Sequence, residues 1–348
     1  MVDSPSVRAP LTDPGQMAGG AATAGRPDAD AAIRGRIFQL KEGLQDGLIG
    51  CEALVERLLI GLLSGGHLLV EGMPGLAKTR AVKRLAEGLE STFHRIQCTP
   101  DLMPADITGT PIWQPDRGGF EFAPGPVFAS LVLVDEINRA PPKVQSALLE
   151  AMAERQVTAG GETHVLPDPF MVVATQNPID QEGTFPLPEA QLDRFLMHVV
   201  VELPNAASER KILDLVEAET VAHSGAMAMK LTLAEVRAAR DAAMRVHLSP
   251  AIKDFIVRLV TAPRNAPKDS DIGKAIEHPA SPRGTLALAA AAKARAYLHG
   301  RDFAIPEDVS ELAPDILAHR TLLTWRASAD GATPRGVIAM LLDHVRPL

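Results

Sequence analysis

Short apolar runs recur along the first two hundred residues: His67-Leu68-Leu69-Val70, Leu131-Val132-Leu133-Val134, Phe170 to Ala174 and Leu196 to Val201. They do not alternate with polar residues, which marks strands buried on both faces, as a parallel sheet requires. Phe93 to Gln97 reads as a further strand. Between these runs the apolar residues fall at helical spacing. Ile37, Leu40, Leu44 and Leu48 form one stripe, in a helix beginning near Ala31 and broken at Gly50. Cys51 to Leu63 forms a second helix, ended by Ser64-Gly65-Gly66. Val82, Leu85 and Leu89 predict a helix over Arg80 to Leu89. Leu148, Leu149 and Met152 predict another over Val144 to Arg155, opened by Pro141-Pro142. Strands and helices in alternation are the pattern of an α/β sheet covered on both sides. Two hairpins interrupt it: Ile112 to Gln114 with Gly119 to Phe122, and Gln156 to Thr158 with Thr163 to Val165 around Gly160-Gly161.

After Pro204 the pattern is helical only, over Ser208–Glu217, Leu233–Val246, Ala251–Leu259, Arg283–Leu298 and Pro306–His319. A charged, proline-containing connection runs from Pro263 to Pro282. The expected organisation is a disordered tail over residues 1–30, an α/β body over 31–203 and a helical domain over 204–348. The tail is assigned on its Gly, Pro and Ala content and its scarcity of large apolar side chains. No internal repeat is visible, and Ala287 to Ala296 is a strong helix former rather than low complexity.

Composition narrows the function classes. The net charge is −8 and the pI about 5.7, which gives no general electrostatic case for nucleic acid. Cys51 and Cys98 are far apart and lack metal-ligand spacing, so both are expected as small buried hydrophobes. No run approaches the length of a membrane span, and the first residues lack an apolar signal core, so a cytoplasmic location is expected. No His-Cys-acid spacing marks a metal cluster; His67, His94, His164 and His198 are expected as structural histidines.

The chemistry starts at Glu71-Gly72-Met73-Pro74-Gly75-Leu76-Ala77-Lys78-Thr79. A strand, a glycine-bearing turn and a helix opened by Lys-Thr form a phosphate cradle: backbone N–H groups and the helix N-terminus face an anion. Lys78 can reach the β- and γ-phosphates and the Thr79 hydroxyl can ligate Mg²⁺. The strict pattern has Gly before the Lys; here Ala77 stands there, at a helix start where right-handed dihedrals are expected to suffice. Asp135-Glu136 ends a buried strand, where parallel sheets bind ligands. Asp135 is a candidate for the Mg²⁺ shell, and Glu136 for activating a water. Asn177, at the end of Val172-Val173-Ala174, could bond a γ-phosphate or serve only as a turn starter before Pro178. Arg194, Arg283 and Arg139 are candidates for a cation that stabilises a phosphoryl transition state.

Taken together, these segments resemble the MoxR family of AAA+ ATPases. The resemblance is carried by Glu71–Thr79, by Gln97-Cys98-Thr99-Pro100-Asp101-Leu102-Met103-Pro104-Ala105-Asp106-Ile107-Thr108-Gly109 and by Pro124-Gly125-Pro126-Val127-Phe128. It continues through Asp135-Glu136-Ile137-Asn138-Arg139-Ala140-Pro141-Pro142-Lys143 and Ala174-Thr175-Gln176-Asn177-Pro178 to Pro188-Glu189-Ala190-Gln191-Leu192-Asp193-Arg194-Phe195 and Ser281-Pro282-Arg283. It covers roughly residues 35–345, and the Pro263–Ala280 connection is longer than the family's usual form.

The resemblance implies a P-loop NTPase fold: a three-layer α/β/α core with a parallel sheet and a small all-helical lid. It implies ATP and Mg²⁺ as cofactors, bound at Gly72, Met73, Pro74, Gly75, Leu76, Ala77, Lys78, Thr79 and Asp135. Thr79 and Asp135 would be the metal ligands, and Ile49-Gly50 would pack on the adenine. Glu136 and Lys78 would be catalytic, Asn177 sensor 1, Arg283 sensor 2 on the lid, and Arg194 the arginine finger, with Arg139 as second choice. The hairpin within Thr110–Phe122 resembles an insertion in helix 2, and Gln156–Val165 the hairpin before sensor 1. The expected activity is ATP-driven, chaperone-like remodelling by a homo-oligomeric, hexameric ring acting on a protein client. A partner with a von Willebrand factor A domain is expected, in client maturation or metal-cofactor insertion. A helicase-like nucleic-acid motor of the helix-2-insertion group is the alternative.

Overall fold

The computed structural model describes residues 26–178, 183–221 and 229–347. Five parallel strands form its centre: β1 (Leu68–Gly72), β2 (Phe93–Gln97), β3 (Leu131–Asp135), β4 (Met171–Gln176) and β5 (Met197–Val201). They lie in the order β5-β1-β4-β3-β2. Parallel register brings their carboxyl ends to one edge, with Glu71 level with Gln176 and Gln97 level with Asp135. Helices cover both faces of the sheet. They are α1 (Arg26–Asp46) and α2 (Glu52–Ser64), which precede β1, with the crossover helix α3 (Lys78–Glu87) on one side, and the crossover helix α4 (Pro142–Glu154) on the other.

The period of two along each strand sorts the core into two halves. Leu68, Val70, Leu131, Leu133, Met171 and Val173 point to one face, where Leu40, Leu44, Leu58, Leu62 and Leu85 close over them. Leu69, Val132, Val134, Val172 and Ala174 point to the other, against Val144, Leu148 and Met152 of α4. All are nearly or wholly excluded from water. The first apolar cluster also takes in the carboxyl-terminal half of the chain, including Val236, Phe255, Leu288, Ile316 and Leu341.

Several elements differ from the sequence expectation. Helix α1 starts at Arg26, inside the segment expected to be a tail. Residues 1–25 lie outside the described residues. The part after Pro204 is not purely helical: Leu231-Thr232 pairs with Leu89-Glu90, and Ile276–His278 with Leu322-Leu323. The helix expected over Pro306–His319 is cut into Pro306–Ser310 and Ala313–Leu317, the second opened by Pro314. The long connection before Ser281 is itself folded: it carries a helical turn, Asp271–Ala275, capped by Ser270. Two helices at the end of the chain, Trp325–Ala329 and Pro334–His344, were not read from the periodicity. Among the described residues no helix is long and apolar enough to cross a membrane.

His67, just before β1, stitches the sheet to α4. Its Nδ1 accepts from the Val172 N–H at 2.9 Å, so its Nε2 carries the proton donated to the Met152 carbonyl at 3.2 Å. Burial, reinforced by Arg155 and Arg240, holds its pKa down to about 4. An unfolded chain takes up this proton near pH 6.5, so the stabilisation is complete above that pH and lost as pH falls from 6.5 through 4. The loss at pH 5 is about 2 kcal/mol. Urea unfolding at pH 7 and pH 5 checks it: His67→Gln should lower the pH dependence by about that amount, and an unchanged dependence would contradict this role.

Candidate nucleotide site

At the carboxyl edge of the sheet, the turn after β1 and the ends of β2, β3 and β4 surround a polar cleft. It is lined by Pro74, Gly75, Lys78, Thr79, Arg95, Gln97, Asp135, Glu136, Thr175 and Asn177. Beside it, an apolar cleft is lined by Leu48, Ile49, Gly50 and Cys51, by Gly75, Leu76 and Ala77, and by Pro204, Ile212 and Leu215. Gly75, at a φ of +85°, belongs to both. A flat apolar ring in one cleft and an anion in the other would thus be joined through the same turn.

The polar cleft is organised around Asp135, a carboxylate sealed at the end of β3. Its Oδ1 accepts hydrogen bonds from the Thr175 hydroxyl at 3.0 Å and the Thr79 hydroxyl at 3.2 Å. Its Oδ2 accepts from the Arg95 Nε at 2.6 Å. Lys78 folds back onto the carbonyl oxygens of Gly72 and, at 3.2 Å, Gln176. The ammonium is therefore held between the ends of β1 and β4. Thr79 and Asp135 present hard oxygen donors within 3.3 Å of each other, a donor set suited to a small divalent cation such as Mg²⁺.

Glu136 follows with φ +57°, a left-handed conformation rare for a residue with a side chain. Its backbone N–H donates to the Thr175 hydroxyl at 3.0 Å, which holds the turn. The carboxylate faces the cleft, where Gln97 Nε2 and Arg139 Nη1 reach Oε2 at 3.2 Å and 3.1 Å. Asn177 is buried at the end of β4, and its carbonyl accepts from the Asn138 amide at 3.4 Å. Cys98 lies buried behind these acids; desolvation first, then Asp135 and Glu136, pushes its thiol up to about 12, so it stays protonated. Cys51 is half-buried at the mouth of the apolar cleft.

One expectation is overturned here. Ala77 does not adopt right-handed dihedrals: it caps α3 at φ +53° and ψ +13°. A side chain in this region costs about 1–2 kcal/mol, which explains why glycine suits the position.

The candidate arginines separate. Arg139 bonds the chain's own Glu136. Arg194 and Arg283 do not line the polar cleft. Arg194 donates to the Leu149 carbonyl at 3.3 Å, and Arg283 pairs with Asp193 at 3.7 Å, one residue from Arg194. Arg320 holds this corner: its guanidinium bonds Asp193 Oδ1 at 2.8 Å and the Phe195 carbonyl at 2.6 Å.

Three cleft residues, Arg95, Gln97 and Thr175, were given no role from the sequence. Arg95 and Gln97 stand two apart on a strand beside the Asp-Glu strand, which puts both side chains on one face. That spacing was the available signal.

Comparison with known proteins agrees with the fold. Residues 67–197 match the model of the ATPase family associated with various cellular activities (AAA), and residues 268–340 match the AAA lid domain. The class is therefore that of an AAA+ ATPase. The chain is 46% identical to the Mycobacterium tuberculosis protein named Chaperone MoxR1, over 89% of this chain and 80% of the relative. It is 32% identical to Protein MoxR of Methylorubrum extorquens, over 84% of this chain and 88% of that one. A crystal structure of a candidate ATPase from Cytophaga hutchinsonii superposes with a TM-score of 0.84 at 39% identity, covering 92% of this chain and 98% of that one. The chain belongs to the MoxR family. It binds nucleotide and hydrolyses ATP as a chaperone-like AAA+ ATPase.

Ala77→Gly removes the strained side chain and should raise stability by about 1 kcal/mol with ATP affinity kept. Chemical denaturation and nucleotide titration check it, and a less stable variant would contradict the assigned strain.

Proposed function

We propose that the polar cleft holds the triphosphate of ATP, and the apolar cleft its adenine against Ile49 and Gly50. The backbone of Gly72 to Ala77 and the Lys78 ammonium hold the phosphates, and Thr79 and Asp135 hold Mg²⁺. Held there, Mg²⁺ would supply charge neutralisation at the phosphate oxygens. Glu136 orients the attacking water and accepts its proton, while Asn177 positions the γ-phosphate side. The observation that carries this reading is the meeting of Lys78, Thr79, Asp135, Glu136 and Asn177 around one cleft.

Among the described residues, no arginine of the cleft is placed like a finger. Arg95 is paired with Asp135 and Arg139 with Glu136. Arg194 and Arg283 lie outside it, Arg283 paired with Asp193 and Arg194 bonded to the Leu149 carbonyl. We therefore assign both to the nucleotide of a neighbouring subunit. Such a cation in trans is worth roughly 10³–10⁵ in rate. Hydrolysis then depends on assembly, and a closed ring, here a hexamer, satisfies every site. Under this reading Arg283 acts across the interface rather than on its own subunit's nucleotide.

The ring works on a protein client in the cytoplasm. A separate partner with a von Willebrand factor A domain would direct it to maturation or metal-cofactor insertion. The nucleic-acid motor finds little support: in the hairpin Gly109–Pro124 the only basic side chain, Arg117, is paired with Glu121.

Glu136→Gln should bind ATP without turning it over, and Arg194→Ala likewise. Mixed in equal amounts, the two inactive proteins should recover about one quarter of wild-type turnover, because that share of random interfaces joins an intact Glu136 to an intact Arg194. Steady-state phosphate release measures it. No recovery at any ratio would contradict an Arg194 acting in trans, and strong stimulation by single-stranded DNA would favour the motor.

A further inference from the structure

Arg95 has a position that ATP binding alone does not explain. It stands on β2, an edge strand of the sheet, and its Nε donates to Asp135 Oδ2 at 2.6 Å. Its Nη2 donates to Gln97 Oε1 at 2.9 Å, and Gln97 Nε2 donates to Glu136 Oε2 at 3.2 Å. Four side chains thus form one chain of bonds from the carboxylate assigned to the metal to the carboxylate assigned to the water.

The two ends of the Arg95–Asp135 pair differ in exposure. The Asp135 side chain is 6% exposed, whereas that of Arg95 is 44% exposed. A carboxylate so enclosed needs a counter-charge, because an uncompensated buried charge is strongly destabilising. The other groups bonding its oxygens, Thr79 and Thr175, are neutral hydroxyls. Arg95 supplies the positive charge, from a side chain with room to leave.

We propose that Arg95 is a stand-in cation: it neutralises Asp135 while the metal position is empty, and Mg²⁺ displaces it. The inference rests on Thr79 and Asp135 being the metal ligands. A divalent ion beside Asp135 makes the guanidinium redundant there and repels it. The exposed side chain swings toward solvent or the phosphates. In leaving, it drops its bond to Gln97, while Glu136 keeps its pair with Arg139. Arg95 is accordingly a positioning residue: it holds the Asp135 carboxylate neutralised and in place until the metal arrives. It also lowers metal affinity, since each ion must first break an ion pair.

The direct probe is Mn²⁺, titrated into the ADP complex of the full chain and followed by electron paramagnetic resonance. Arg95→Met keeps the length of the side chain and removes its charge. It should bind Mn²⁺ about tenfold tighter than wild type, with Arg95→Lys within about threefold of wild type. Without nucleotide, Arg95→Met should unfold at lower urea than wild type. Both effects should vanish when Asp135→Asn is already present, since the pair no longer exists. Mn²⁺ binding by Arg95→Met that is equal to or weaker than wild type would overturn the proposal, as would effects that persist in the Asp135→Asn background. Wild-type Mn²⁺ binding that Asp135→Asn leaves unchanged would instead remove the metal assignment, and the inference with it. If Arg95→Met does not fold, the unaltered protein decides. The Arg95 Nε–H should exchange slowly in the ADP complex and at least about tenfold faster once Mg²⁺ is added. Unchanged exchange would refute displacement.

Discussion

A single carboxylate at the end of a buried strand organises this molecule's functional edge. Asp135 is almost closed to solvent, yet it is bonded by side chains from three separate elements: Thr79 on α3, Arg95 on β2 and Thr175 on β4. These bonds fix how the phosphate turn, the edge strand and the strand bearing Asn177 sit relative to one another. The charge is tolerated because each oxygen is bonded. The same arrangement leaves a cleft whose donors are hard oxygens and backbone amides, which is the chemistry a metal–triphosphate group needs.

Strain collects at this edge. Non-glycine residues in the left-handed region include Ala77 in the phosphate turn and Glu136 after Asp135. Each stands where the backbone must turn sharply from a strand or into a helix while presenting a group to the cleft. Such conformations persist when surrounding bonds over-determine them, and the Thr175 hydroxyl does this for Glu136. Away from the edge the two apolar clusters are conventional, and they hold the sheet rigid enough for the cleft to keep its geometry.

Much of this was legible in the residues. Unbroken apolar runs located the strands, because burial on both faces removes alternation. The cradle and the Asp-Glu pair were readable because their chemistry is local: each is a contiguous segment at a strand end. The readings that failed were ones local pattern cannot decide. The dihedral of Ala77 is set by the turn around it, and the break in Pro306–His319 falls at a proline embedded in otherwise helical spacing. Arg95 and Gln97 gain meaning only from β2 lying beside β3, a pairing set by sheet order. Arg283 pairs with Asp193, 90 positions earlier in the sequence (283 minus 193), on the corner that Arg320 holds, which no spacing announces.

The most direct test of the account is the place of the metal itself. Anomalous diffraction from crystals grown with Mn²⁺ and a non-hydrolysable ATP analogue should give one strong peak coordinated by Thr79 Oγ1, with Asp135 directly or through a water. The triphosphate should lie along the turn from Gly72 to Lys78. A peak elsewhere, or nucleotide bound outside the two joined clefts, would contradict it.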